Sequence, residues 1–223
     1  MSSGTRHTIT AFDDDMDEIR GLIAEMGARA ESAVVAAMRA LSEHDVELAA
    51  SIRAEDKVID NLEADVERLV VRTIALRAPM ADDLRELIAA LKMSAVIERI
   101  GDYAKNIAKR VPKMEGKIHA SAKEQLGRMG EIVVEMIRTA MDAYAKRDVD
   151  LARAVTIRDD VVDQLNKDLF VDFVAYVAKN PQNATEVAHL LFTAKNLERI
   201  GDHTTNVAQM IYFTETGENL PDA

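Results

Sequence analysis

Glu98-Arg99-Ile100-Gly101-Asp102 returns letter for letter as Glu198-Arg199-Ile200-Gly201-Asp202. Hydrophobic patterning alone dictates neither charged residues nor glycine, so an identical pentapeptide marks an internal duplication. The match extends outward. Asp45-Val46-Glu47-Leu48-Ala49 corresponds to Asp148-Val149-Asp150-Leu151-Ala152, and Asp56-Lys57-Val58-Ile59-Asp60 to Asp159-Asp160-Val161-Val162-Asp163, with Met38 opposite Met141, all at a spacing of 103. The pentapeptides themselves are 100 apart, which predicts a second hairpin loop shorter by three residues.

Both copies read as helix. Ile19, Leu22, Ile23, Met26 and Ala30 step by three and four, one face of an α-helix. The pattern breaks near Ser42–Asp45 and resumes with Leu48, Ile52, Ile59, Leu62, Val66 and Leu69. It stops before Ala78-Pro79, because the residue preceding proline is pushed out of the α region. Pro79 with Asp82 and Asp83 suits a helix start, where the dipole favours acid. A third run, Leu84 to Ile107, fades at Val111-Pro112. Met129 to Ile137, Leu151 to Leu169 and Val187 to Ile211 repeat the series. Six helices of about 30 residues, each roughly 45 Å long, with short antiparallel connections, predict an all-α protein. It has two tandem homologous three-helix bundles, 8–111 and 118–216, joined by a linker at 112–117.

Composition agrees. The 223 residues are 48% hydrophobic but only 4% aromatic, with 11 Met, 9 Gly and 4 Pro, which suits long helices packed on helices. Met26, Met38, Met129, Met136 and Met141 fall on helical spacing and read as core filling. The absence of cysteine excludes disulfides, thiolate metal sites and a cysteine nucleophile. A net charge of −11 argues against non-specific binding to nucleic acid and against adsorption to an anionic membrane. No uncharged apolar run reaches the roughly 18–20 residues of a membrane span. The first residues lack an apolar signal core, so the expected location is the cytoplasm.

The duplicated helices carry acids in pairs: Asp56 with Asp60, Glu98 with Asp102, Asp159 with Asp163, and Glu198 with Asp202. Residues four apart share a helix face, and like charges at that spacing repel. Four such pairs at equivalent places call for a partner, either a metal ion or a basic side chain. On the last helix Leu197, Gly201, Thr204 and Ala208 mark the inward stripe, and the acids sit about 100° further around, flanking the core. If the second and third helices of each half are neighbours, their acids face each other across a seam, with Glu63 near the first. An all-oxygen site suits hard cations such as Mg, Ca, Mn or Fe. Arg99 and Arg199 are the nearest basic candidates, with Lys57, Arg53 and Lys105. Gly101 and Gly201 each cost about 1 kcal/mol against alanine, which points to close helix approach beside the acids. Asn166 stands where Glu63 stands, so the second cluster is expected to be the weaker.

From about His7 to Gly217 the chain resembles the PhoU family of phosphate-uptake regulators. The resemblance lies in Phe12-Asp13 before the first helix, Asp82-Asp83-Leu84-Arg85, and Leu197-Glu198-Arg199-Ile200-Gly201-Asp202-His203 with Asn206. The Tyr212–Glu218 stretch and the paired acids complete it. It implies a cytoplasmic, often dimeric accessory protein of the high-affinity phosphate ABC transporter. Such a protein would meet the transporter's ATPase subunit and pass its state to a membrane sensor histidine kinase. It would touch the membrane only through these partners. When phosphate is plentiful it would hold starvation genes off and restrain uptake. The resemblance also implies metal ions (Fe, Zn, Mg or Mn) at Asp56, Asp60, Glu98, Asp102, Asp159, Asp163, Glu198 and Asp202.

Two other readings stand against it. A carboxylate di-metal oxidase needs two Glu-x-x-His motifs in one bundle. Glu186-Val187-Ala188-His189 supplies one, but Ala89 occupies the place of His189 in the first half. A passive helical scaffold would explain the bundles but not the acids. Phosphate-binding glycine loops, His-Glu-x-x-His and Gly-x-Ser-x-Gly are absent. His203, next to Asp202, should point off the acid face as a surface or satisfied histidine.

Overall fold

The computed structural model describes residues 3–115 and 120–221, with side chains placed from 11 to 115 and from 122 to 221. Six long helices account for almost all of it: α1 (Ser3–Glu43), α2 (Val46–Arg77), α3 (Asp82–Ala108), α4 (Ala120–Lys146), α5 (Val149–Lys179) and α6 (Ala184–Thr216). There is no strand among the described residues. α1, α2 and α3 pack mutually, as do α4, α5 and α6, so each half is a three-helix bundle. Phe12 and Asp13, expected ahead of the first helix, lie inside α1. No proline interrupts the run from Ser3, and Phe12 packs against the core.

The helix ends follow local chemistry. His44 and Arg147, equivalent residues, both take the left-handed conformation, with φ 55° and 53°. Each is followed by an aspartate cap: Asp45 accepts from the Leu48 backbone N–H at 2.9 Å, and Asp148 from those of Asp150 and Leu151 at 2.9 and 3.0 Å. A capped first turn offsets donors that would otherwise have no partner. α6 ends on Gly217 at φ 75°, the usual left-handed stop. The second hairpin loop is not shorter. Both connections, 78–81 and 180–183, span four residues, and the difference in spacing comes from the ends of α5 and α6. Between the halves, Val111–Lys113 form a 3-10 turn and Met114 is buried. The rest of the expected linker, Gly116 and Lys117, lies outside the described residues.

The two bundles do not stand apart. α3 packs on α6 and α1 on α4, so a single apolar core runs through both halves. Ile19, Ile23, Met26, Ile97, Ile100, Met129 and Met136 are among its fully buried side chains. Each such side chain contributes about 1.5–3 kcal/mol by leaving water. The contact between halves is reciprocal. A Cβ on Gly27 would overlap the Met141 sulfur, and one on Gly130 would lie 3.0 Å from the Met38 Cγ. Gly27 and Gly130 are equivalent, and so are Met38 and Met141. The halves are therefore related by a pseudo-twofold axis, as in an isologous dimer fused into one chain. Tyr103 and its counterpart His203 meet across the same α3–α6 contact, with ring centroids 5.3 Å apart.

Candidate metal centre

The acid pairs fall on two seams. Asp56 and Asp60 on α2 adjoin Glu98 and Asp102 on α3; Asp159 and Asp163 on α5 adjoin Glu198 and Asp202 on α6. The inward stripe places them. Leu197, Gly201, Thr204 and Ala208 are buried, and so the residues one step on emerge at the flank of the core. Glycine brings the helices together there. A Cβ on Gly201 would sit 2.7 Å from Asp159 Oδ1, and one on Gly101 would sit 2.9 Å from the Ile59 Cδ1 methyl.

The α5–α6 seam converges. Oxygens of Asp163, Glu198 and Asp202 all lie within 4.8 Å of one another. Opposite ligands of an ion with bonds of about 2.0–2.4 Å are roughly 4–4.8 Å apart, so one cation fits between such oxygens. Two further observations favour a cation. Asp159 Oδ1 and Glu198 Oε2 are buried without a hydrogen-bond partner, and leaving charged oxygens so is costly. Burial pushes the Asp159 carboxyl up to about 6, reinforced by the charge of Asp202 and partly opposed by the Thr205 hydroxyl, with Asp163 and Asp160 raising it further. Asp202 is also raised, by burial and then by Glu198 and Asp163, against Lys195 and Arg199. Among the described residues, the one ion pair on the cluster is Lys195 Nζ to Glu198 at 2.5 Å. The donor set is all oxygen, which fits Mg, Mn or Fe better than Zn, whose usual partners include nitrogen and sulfur.

The α2–α3 seam is arranged differently. The Lys105 ammonium reaches from α3 to pair with both Asp56 across the seam and Asp102 on its own helix. Burial disfavours its charge, but the hydrogen bonds it donates to Asp102 and Asp56 prevail and raise its pKa. Asp56 is only 8% exposed, so this partner satisfies a carboxylate that water reaches poorly. Glu98 is pushed up to about 7 by burial, then by Asp102, Glu63, Asp60 and Asp56. Asp60 is raised by burial and Asp56, with Lys105 opposing. Glu63 is raised by burial and by Asp60. Among the described residues, only the second seam gathers three acid oxygens closely enough for an ion. The expectation drawn from Asn166, that the second cluster is the weaker, is opposed by this geometry. The first seam carries a resident ammonium, Lys105, whose counterpart at a spacing of 100 is Thr205.

Other candidates are placed elsewhere. Among the described residues Arg99 and Arg199 form no ion pair with the acids; Arg199 lies over the Tyr103 ring at 5.7 Å. His203 points away from the acids, as expected. It is half-buried against Tyr103, with neither ring nitrogen hydrogen-bonded. Burial, then Arg99 and Arg199, lower its pKa and keep it neutral. Glu186 accepts from the Glu115 backbone N–H at 3.2 Å, beside a cavity of about 680 Å³ at the start of α6. The acid trio contains neither Glu186 nor any histidine.

The PhoU domain model matches residues 23–111 and again 126–211. A protein of Zymomonas mobilis named phosphate-specific transport system accessory protein PhoU homolog is 48% identical over 216 residues, covering 97% of this chain and 91% of its own. The protein of the same name from Caulobacter vibrioides is 40% identical, over 97% of this chain and 94% of its own. Among solved structures, PhoU from Pseudomonas aeruginosa superposes with a TM-score of 0.90 at 32% identity, covering 93% of this chain and 100% of that one. The phosphate transport system regulatory protein PhoU from Streptococcus pneumoniae gives 0.87 at 26% identity, covering 94% and 99%.

Proposed function

The chain belongs to the PhoU domain family, and from that premise we propose that it is a regulatory accessory protein of phosphate transport, not an enzyme. In this reading it represses the phosphate-starvation response and restrains phosphate uptake. It does so from the cytoplasm, as a homodimer of chains that each carry the units 8–111 and 118–216. It relays the state of the phosphate ABC transporter, through the ATPase subunit, to a sensor histidine kinase. The observation that carries the reading is the near full-length identity of 48% to a relative named as an accessory protein of that transport system. No helix among the described residues is long and apolar enough to cross a membrane, so contact with the transporter would be by docking.

Metal enters as part of the same proposal. Asp163, Glu198 and Asp202 would hold a hard divalent cation or iron, with Asp159 alongside. The ion would supply positive charge to carboxylates that otherwise repel. In that state the chain's own groups would fix α5 against α6: Gly201 lets the helices approach, and Lys195 neutralises one oxygen of Glu198.

Deletion of the gene tests the regulatory claim. A starvation-gene reporter should come on in abundant phosphate, and the wild-type gene should silence it again. Unchanged repression in the deletion strain would remove the proposal. Complementation with Asp163→Asn/Asp202→Asn then asks whether the acid cluster takes part: failure to restore repression by a folded variant supports it.

A further inference from the structure

The two seams share an ancestry and nearly all their parts. Asp56, Asp60, Glu98, Gly101 and Asp102 have as counterparts Asp159, Asp163, Glu198, Gly201 and Asp202. Ile59, packed on Gly101, has its counterpart in Val162, packed on Gly201. The seams differ in charge at Glu63 against Asn166, Lys57 against Asp160 and Ala95 against Lys195, and Lys195, half-exposed, pairs with Glu198 on its own helix; one further position bears on the carboxylates of both helices. On α3 it is Lys105, whose ammonium donates to Asp56 and Asp102. On α6 it is Thr205, a short neutral side chain beside Asp159, whose buried hydroxyl has no hydrogen-bond partner.

We propose that Lys105 is a built-in cation that takes the place of metal in the first acid cluster, so that this chain recruits a divalent cation at the second cluster only. The ammonium engages oxygens of Asp56 and Asp102 that an ion there would need, and its charge repels a second cation. Ejecting it would bring an ion only the difference between two competing partners. It would also uncover Asp56 during the exchange, at a point where that carboxylate is almost shut off from water. The second cluster has the opposite character. Its cation-sized gap is formed, two of its oxygens are buried and unpartnered, and the lysine that would fill it is replaced by threonine. Duplication thus produced one seam locked by the protein itself and one that closes on an ion. The inference rests on the reading that acid clusters on this fold hold cations.

The test uses the full chain, stripped with chelator and titrated with Mn²⁺ alone by equilibrium dialysis, with electron paramagnetic resonance of the bound ion. Wild type should show one class of tight site. Asp202→Asn should weaken it at least tenfold, and Asp102→Asn should leave it within twofold. Lys105→Thr should add a second class of tight site, itself removed by Asp102→Asn. Lys105→Thr leaves Asp56 bare and can fail to fold without metal. Thr205→Lys is therefore the companion variant, expected to keep wild-type helicity by circular dichroism and to lose Mn²⁺ binding. Equal loss from Asp102→Asn and Asp202→Asn, two filled clusters in wild type, or full Mn²⁺ binding by Thr205→Lys would overturn the inference while leaving the metal reading standing. A wild-type chain that takes up no Mn²⁺, with no gain in Lys105→Thr, would overturn both.

Discussion

Asp159→Asn should make the metal-free protein more stable, and the size of the gain can be worked from the site. The carboxyl is raised from its ordinary value of 3.8 to about 6, by burial first and by Asp202 second. That is roughly 2 units, and at 1.36 kcal/mol per unit the ionised group costs the fold up to about 3 kcal/mol. Partial access to water and coupling to Asp163 and Asp202 reduce this to about 1–2 kcal/mol. The sign follows from linkage. The folded state holds the proton more tightly than the unfolded chain does. There is no penalty below about pH 3.8, it grows as pH rises toward 6, and it is complete above that. Asparagine has the same shape and no charge, so the variant escapes it. In EDTA at pH 7.5 its Tm should exceed that of wild type by about 2–8 °C, at roughly 2–4 °C per kcal/mol for a chain of this size. At pH 3.5 the gap should nearly close. With Mn²⁺ the order should narrow or reverse, because ligand stabilises the form that binds it. A variant no more stable than wild type at pH 7.5, or one with the same advantage at both pH values, would refute the electrostatic account of the seam.

Gly201→Ala gains helix propensity, but its Cβ would meet Asp159 Oδ1 at 2.7 Å; it should weaken Mn²⁺ binding at least tenfold by dialysis. Gly21→Ala, with nothing within 4 Å, should instead stabilise by about 0.5–1 kcal/mol in urea melts. Asp15 is paired with Arg72 at 2.9 Å and Arg77 at 3.3 Å, tying α1 to the end of α2. Asp15→Ala should cost about 1–3 kcal/mol, and a cycle with Arg72→Ala should show positive coupling. Asp45→Ala and Asp148→Ala each remove an aspartate cap. Each should cost about 0.5–2 kcal/mol, and the two should add, since they sit in separate hairpins.

How much of this was legible in the sequence depends on what kind of signal each feature leaves. Helix identity and number were readable, because stripes such as Ile19, Ile23, Met26 and Ala30 all end buried. The breaks were readable from Pro79, Pro181 and Gly217. The packing of one half on the other was not. Met38 and Met141 looked like ordinary core residues, and only the fold shows that they fill the space above Gly130 and Gly27 in the opposite half. A helix stripe says that a face is covered, but not by which helix. At the acids, spacing gave the two seams, the flank position and the closeness at Gly201. It did not show which seam gathers its oxygens. The pattern singled out Asn166 as the difference, whereas the structure also sets Lys105, paired with Asp56 and Asp102, against Thr205. Lys105 was visible as one basic candidate among several. A flexible four-carbon side chain can reach several acids, and nothing in the one-dimensional pattern selects Asp56.

The neutral character of Thr205 also bears on what a regulator could use. A seam closed by Lys105 is always closed, because the ammonium is covalently part of the chain and stays charged at any physiological pH. A seam that depends on a cation can exist in two states, with α5 and α6 either repelling through Asp159, Asp163, Glu198 and Asp202 or drawn together. Ligand binding shifts such an equilibrium only by the difference in affinity for the two states. The unpartnered oxygens of Asp159 and Glu198 are where that difference would arise. On that proposal the pseudo-twofold arrangement would give the two halves unequal tasks: the first would supply a fixed frame, and the second, packed on it through α3–α6 and α1–α4, would be the half whose surface responds.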